Sequence, residues 1–120
     1  MTTVKRKIFS KEERLQVYNK CNGHCAYCGC KLDYKDMQID HVVAIDSGGT
    51  NDYDNLLPSC RMCNKYKNTF TLEEFRRQLG LLQGRLEKVY IYRLSKKYNL
   101  LEETPHEVKF YFEKLKKVEE

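Results

Sequence analysis

The spacing of hydrophobic and polar positions changes several times along the chain, and each change predicts an element. "SKEERLQVYNKCNG", from Ser10 to Gly23, puts Leu15 and Tyr18 on one edge of a helix. Ser10 and Glu13 form a capping box at its start, and Gly23 ends it. "MQIDHVVAI", from Met37 to Ile45, reads as a half-buried strand through its β-branched Ile39, Val42, Val43 and Ile45. The stretch "DSGGTNDYDN", Asp46 to Asn55, is dense in turn residues and predicts a loop. "LLPSC" then returns the chain in extended form through Pro58, and a short helix begins near Cys60 and carries "MCNKYKN".

Beyond it, Thr71 and Glu74 form a second capping box, with Phe70 and Phe75 placed as a hydrophobic staple. Leu72, Phe75, Leu79, Leu82, Leu86, Val89 and Leu94 keep near-helical spacing, with a break expected at Gly80 and Gly84. Thr104 to Glu107 reads as a third box, with Pro105 at the first helical position of a last helix over "EVKFYFEKLKK". "VKFYF" within it also alternates well enough for a strand. Tyr90, Tyr92 and Tyr98 are expected to pack.

A chain of 120 residues holds one small domain. Its 22 Lys and Arg against 17 Asp and Glu give a charge of +5, which suits an anionic partner but is shared by many ordinary proteins. The basic residues of "RRQLGLLQGRLEKVYIYRLSKK" form either a DNA-facing stripe or the solvated face of an amphipathic helix. No apolar run is long enough for a membrane span, and "MTTVKRKIFSKEERL" lacks the apolar core of a signal peptide. The expected location is the reducing cytoplasm, where six cysteines read as metal ligands rather than disulfides.

Those cysteines carry the strongest chemical signal. "CAYC" and "CRMC" are two Cys-x-x-Cys knuckles, each able to present a pair of thiolates to tetrahedral Zn²⁺. A redox pair normally comes once and in a βαβ setting, which this pattern lacks. The reading is a structural zinc on Cys25, Cys28, Cys60 and Cys63, with Cys21 and Cys30 as packing residues. His24 and His106 have no comparable context and are read as solvated.

Asp40 and His41 interrupt the strand, and burying either without a partner is costly. Zinc would tie the hairpin to the following helix, so Asp40, His41 and Asn64 can converge. Lys67 lies three residues beyond Asn64 on the same helical face. Together these suit phosphodiester hydrolysis: His41 as base, Asp40 and the Asn64 amide oxygen as hard ligands for Mg²⁺, and Lys67 facing a phosphate oxygen. Neighbouring strand residues point to opposite faces, so Asp40 and His41 can serve one phosphate only if the strand bends, bulges or ends there.

"CAYC", "IDHVVAIDSGGTNDYDNL" and "CRMCNKYK", in this order, resemble the HNH endonucleases, the ββα-metal or His-Me finger family, over about Cys21 to Phe75. The resemblance implies an α+β fold with a zinc-stapled ββα core and flanking helices. It implies His41 as general base, Asp40 and Asn64 as ligands of a catalytic Mg²⁺ or Mn²⁺, and Asn55 as the brace of the inter-strand loop. Arg61, Lys65 and Lys67 become candidates for contacts to DNA phosphate. Asn64 departs from the histidine of the family name and favours a hard cation over a soft one. The domain reading is a basic arm over 1–9, a nuclease core over 10–75 and a helical extension packed on the core over 76–120. The implied partner is DNA, with RNA still open and a homodimer as one route to double-strand cleavage. The competing reading is a zinc-dependent nucleic-acid-binding module without cleavage.

Overall fold

A computed structural model describes residues 7–119. Residues 1–6 of the expected basic arm therefore lie outside the described residues. The architecture is the expected α+β one: a two-stranded antiparallel hairpin and a short helix, with helices before and after it.

Helix α1, Lys11–Asn19, has both halves of the Ser10–Glu13 capping box in place. It leads into the first knuckle and buries Val17. Strand β1, Gln38–His41, pairs with β2, Leu56–Ser59, in a register that sets Asp40 opposite Leu57 and His41 opposite Leu56. The strand is shorter than the run of β-branched residues suggests. After His41 only the Val42 N–H continues across to the Asn55 carbonyl, at 2.9 Å. The Asn55 side chain then takes both backbone groups of Val43, and the chain bends away into the loop.

Helix α2, Arg61–Lys67, follows β2 with Cys60 as its N-cap. Helix α3 spans Leu72–Gly80, α4 spans Leu82–Leu86 and α5 spans Tyr90–Lys97, so the glycine-weakened stretch does break. Thr71 caps α3, but only half of the predicted box forms, because the Glu74 carboxylate turns forward to Arg77 and Gln78.

The last helix, α6 at Tyr111–Glu119, begins later than Thr104–Glu107 predicts. Phe110 explains the delay: it is drawn into the core, stacked on Phe75 with centroids 5.2 Å apart. The Tyr111 and Phe112 N–H groups donate to the carbonyls of Tyr27 and Ala26, seating α6 on the first knuckle.

One core of Val17, Cys25, Tyr27, Leu32, Met37, Leu56, Phe75 and Phe110 joins the hairpin, the knuckle, α1, α3 and the chain entering α6. Along α4 and α5 the apolar side chains are largely outside it. Tyr90, Ile91 and Tyr98 are exposed, contrary to the packing expected of the tyrosines, while the Tyr92 hydroxyl donates to Glu103 at 2.9 Å. Among the described residues no helix is long and apolar enough to cross a membrane.

Candidate active site and metal centre

The four knuckle cysteines converge because each lies where the backbone turns. Gly29 adopts φ +80°, closing a turn in which the Cys25 N–H donates to the Cys30 carbonyl at 2.8 Å. On the other side, Cys60 caps α2, its sulfur accepting the Cys63 N–H at 3.4 Å. The Cys25 sulfur accepts the Cys60 N–H at 3.3 Å.

All four sulfur atoms lie within 4.8 Å of one another, and those of Cys28 and Cys60 are 3.9 Å apart. A tetrahedral zinc with bonds of about 2.3 Å sets its sulfurs about 3.8 Å apart, so the residues fit that ion. The Cys63 thiol, helped by the backbone N–H groups of Cys60, Cys28 and Tyr27, draws Cys25 down to about 4. Its hydrogen bond to Cys25 and its burial push Cys63 up. Cys21 is buried as expected, whereas Cys30 is exposed.

Asp40, His41 and Asn64 all line one polar cavity of about 350 Å³, together with Ile39, Ala44, Lys65 and Asn68. The strand ends at His41, which removes the objection that neighbouring residues face apart. Each of the three side chains is held by a polar neighbour. The Asp40 carboxylate accepts from the Tyr27 hydroxyl at 2.5 Å and pairs with Lys67 Nζ at 3.1 Å, both on Oδ2. His41 Nε2 lies 2.8 Å from Asn51 Oδ1. Asn64 Nδ2 donates to Gln38 Oε1 at 2.6 Å. What remains is one carboxylate oxygen, one imidazole nitrogen and one amide oxygen. Two of these are hard oxygen donors suited to a divalent cation. Burial raises the Asp40 carboxyl above its ordinary range, opposed by Tyr27 and Lys67.

Lys67 is where the sequence expectation needs correcting. It is fully buried, its ammonium bonded to Asp40 and to the His41 carbonyl at 3.1 Å, and so it does not face a phosphate. Three residues on from Asn64, its side chain passes under the helix instead of out of the cavity. Arg61 and Lys65 are exposed, and Lys65 borders the cavity. Asn55 ties the loop down: Oδ1 accepts from the Val43 N–H at 2.9 Å, and Nδ2 donates to Val43 and Thr50 carbonyls at 3.0 and 2.8 Å. His24 is not merely solvated, since it stacks on Tyr111 and its Nδ1 lies 3.0 Å from the Gly29 carbonyl. His106 is exposed.

Sequence reading missed Tyr27, Gln38 and Asn51. Tyr27, set between two zinc-type ligands, could have drawn notice as an aromatic residue with a polar tip. Gln38 and Asn51 carry no local signal at all.

A hairpin and helix stapled by four cysteines, with Asp, His and Asn facing one cavity, define the zinc-containing ββα-metal class. Residues 25–70 match the family model described as HNH endonuclease, and the clustered Cys25, Cys28, Cys60 and Cys63 fit the zinc-containing branch of that family. Cas9 of Corynebacterium diphtheriae, a CRISPR-associated endonuclease, is 36% identical over 45% of this chain and 5% of its own length. Septu protein PtuB of Bacillus thuringiensis is 37% identical over 47% of this chain and 23% of its own. The SPbeta prophage-derived protein YoqL of Bacillus subtilis is 34% identical over 48% of this chain and 30% of its own. The crystal structure of the Type II-C Cas9 enzyme from Actinomyces naeslundii superimposes with a TM-score of 0.53 at 28% identity, covering 63% of this chain and 9% of that one. The chain thus spans less than a third of each of these relatives.

Proposed function

We propose that this core hydrolyses DNA phosphodiester bonds, with His41 as general base and one Mg²⁺ or Mn²⁺ held by Asp40 and Asn64. The observation that carries the reading is the cavity itself. Three side chains of complementary chemistry meet there, each braced by a neighbour that, among the described residues, leaves one functional atom unengaged. The match of residues 25–70 to the HNH endonuclease family model supports nuclease activity.

In this mechanism the Asn51 side-chain Oδ1 accepts a hydrogen bond from His41 Nε2–H, which leaves the lone pair on Nδ1. Nδ1 removes a proton from a water lined up on phosphorus, and the oxygen attacks as the 3′ oxygen departs and takes a proton from solvent water. Asp40 and Asn64 would hold the cation, which when bound would offset the charge that gathers on the phosphate and the leaving oxygen. Arg61 and Lys65, exposed on α2, contact flanking phosphates and give binding its salt dependence. The products are a 5′ phosphate and a 3′ hydroxyl. One such site cuts one strand, so double-strand cleavage takes a homodimer or two successive nicks.

The buried Lys67–Asp40 pair favours a second reading, in which Asp40 is already neutralised and the domain binds nucleic acid without cutting it. Supercoiled plasmid separates the two. Nicking that requires added Mg²⁺ and is abolished by His41→Ala is the expected result. Equal DNA binding by both proteins with no cutting in Mg²⁺ or Mn²⁺ would favour the binding module.

A further inference from the structure

Tyr27 belongs to the first knuckle, between Cys25 and Cys28, yet its hydroxyl ends at Asp40. Its backbone is anchored to the last helix, its carbonyl accepting the Tyr111 N–H at 3.1 Å. The ring is boxed edge-on by Phe75 and Phe110, at 5.3 and 5.2 Å between centroids, with Phe112 at 6.2 Å. Only 2% of the residue is exposed.

A phenylalanine would fill this box as well as a tyrosine. The buried hydroxyl adds a desolvation cost, which its bond to Asp40 Oδ2 offsets. With Lys67 on the same oxygen, two donors from different elements set the plane of the carboxylate. Oδ1 is the carboxylate oxygen that neither of these donors takes.

We propose that Tyr27 is a positioning residue for the cation site: its hydroxyl orients Asp40 and makes the order of the four-cysteine centre a condition for cation binding 13 residues along the chain. This rests on the reading of Asp40 as a cation ligand. Partners that orient metal ligands typically change affinity by about 10- to 100-fold when removed.

The test uses the full zinc-loaded chain and Mn²⁺ alone, without DNA. Free Mn²⁺ is followed by electron paramagnetic resonance, beside zinc content and thermal unfolding. Tyr27→Phe is expected to keep its zinc and its fold and to bind Mn²⁺ about tenfold more weakly. Cleavage should then recover as Mn²⁺ is raised, a shift in metal dependence rather than in kcat. p-Aminophenylalanine at position 27 keeps a donor and is expected to restore most of the affinity. Unchanged Mn²⁺ affinity in Tyr27→Phe would overturn the proposal. So would loss of zinc or fold in that variant, because the hydroxyl would then be a structural requirement. Asp40→Ala marks off the underlying reading. If it binds Mn²⁺ like the native protein, Asp40 is no ligand. If it alone loses binding, only the role of Tyr27 fails.

Discussion

His41 and Asn51 face each other across the end of the hairpin, imidazole Nε2 lying 2.8 Å from the amide oxygen. The contact joins the last residue of β1 to the middle of the loop, so the loop decides which way the ring points. In the proposed mechanism this also decides which nitrogen is free. Asn51→Ala is expected to reduce kcat by roughly 10- to 100-fold, the usual cost of a misaligned catalytic group, while leaving DNA affinity within twofold. Single-turnover cleavage beside a binding titration checks both halves.

Lys67 and Asp40 form a buried ion pair, and the two partners differ in what else they hold. Replacing the lysine leaves a buried carboxylate with only the Tyr27 hydroxyl. Lys67→Met should therefore destabilise the protein by roughly 3–5 kcal/mol in urea unfolding. Adding Asp40→Asn removes the stranded charge and should recover much of that loss, although the double variant should not cut. Additive losses would mean that the pair is not coupled.

The four-cysteine centre ties the first knuckle to the start of α2, and with it Tyr27 to Asp40. One zinc per chain is expected by elemental analysis. Stripping it should cost on the order of 10 kcal/mol, as much as the whole stability of a domain this small. A strong chelator should therefore unfold the protein by circular dichroism. Cys60→Ser should come close to the same result, since Cys60 is both ligand and helix cap.

Much of this was legible because the decisive residues are few and their chemistry is local. Two Cys-x-x-Cys pairs declare a metal whatever surrounds them, and Ser10 and Thr71 act on their own backbone. What escaped depends on tertiary direction. Whether Lys67 points out to a phosphate or inward to Asp40 turns on the crossing of α2 over β1, which spacing along a helix does not encode. The partners Gln38 and Asn51 are ordinary amides until the fold brings them to Asn64 and His41. The late start of α6 reflects the pull of Phe110 toward Phe75, a core contact that overrides the local capping signal.

Acid should expose the first turn of α3. Glu74 is lowered from 4.5 to about 2, first by its bond to Arg77 and then by Gln78. Above 4.5 the carboxylate is charged in both folded and unfolded chains, and its contribution is complete. As pH falls toward 2 the unfolded chain takes up the proton first, so that contribution is lost across this window. Glu74→Gln should flatten the pH dependence of unfolding between 4.5 and 2 and leave its slope above that range unchanged.

The loop that carries Asn51 is held by two different devices, and both can be broken. Asn55 makes three hydrogen bonds to the backbone of Val43 and Thr50. Gly49 sits where any Cβ would lie 1.8 Å from the Val43 carbonyl oxygen, so the same stretch tolerates no side chain there. Asn55→Ala loses all three bonds and should cost about 1–3 kcal/mol of stability. Asn55→Asp keeps the acceptor for the Val43 N–H but sets a carboxylate against two carbonyls, and should be at least as damaging. Gly49→Ala must displace the backbone at Val43, two residues from His41. All three variants should lose more activity than Arg61→Ala, which lies on the exposed side of α2 and should mainly weaken binding and reduce its salt dependence. Cleavage rates at saturating protein, set beside urea midpoints for the same four variants, separate the loop from the surface. An Asn55→Ala protein with full kcat would show that the loop does not position His41.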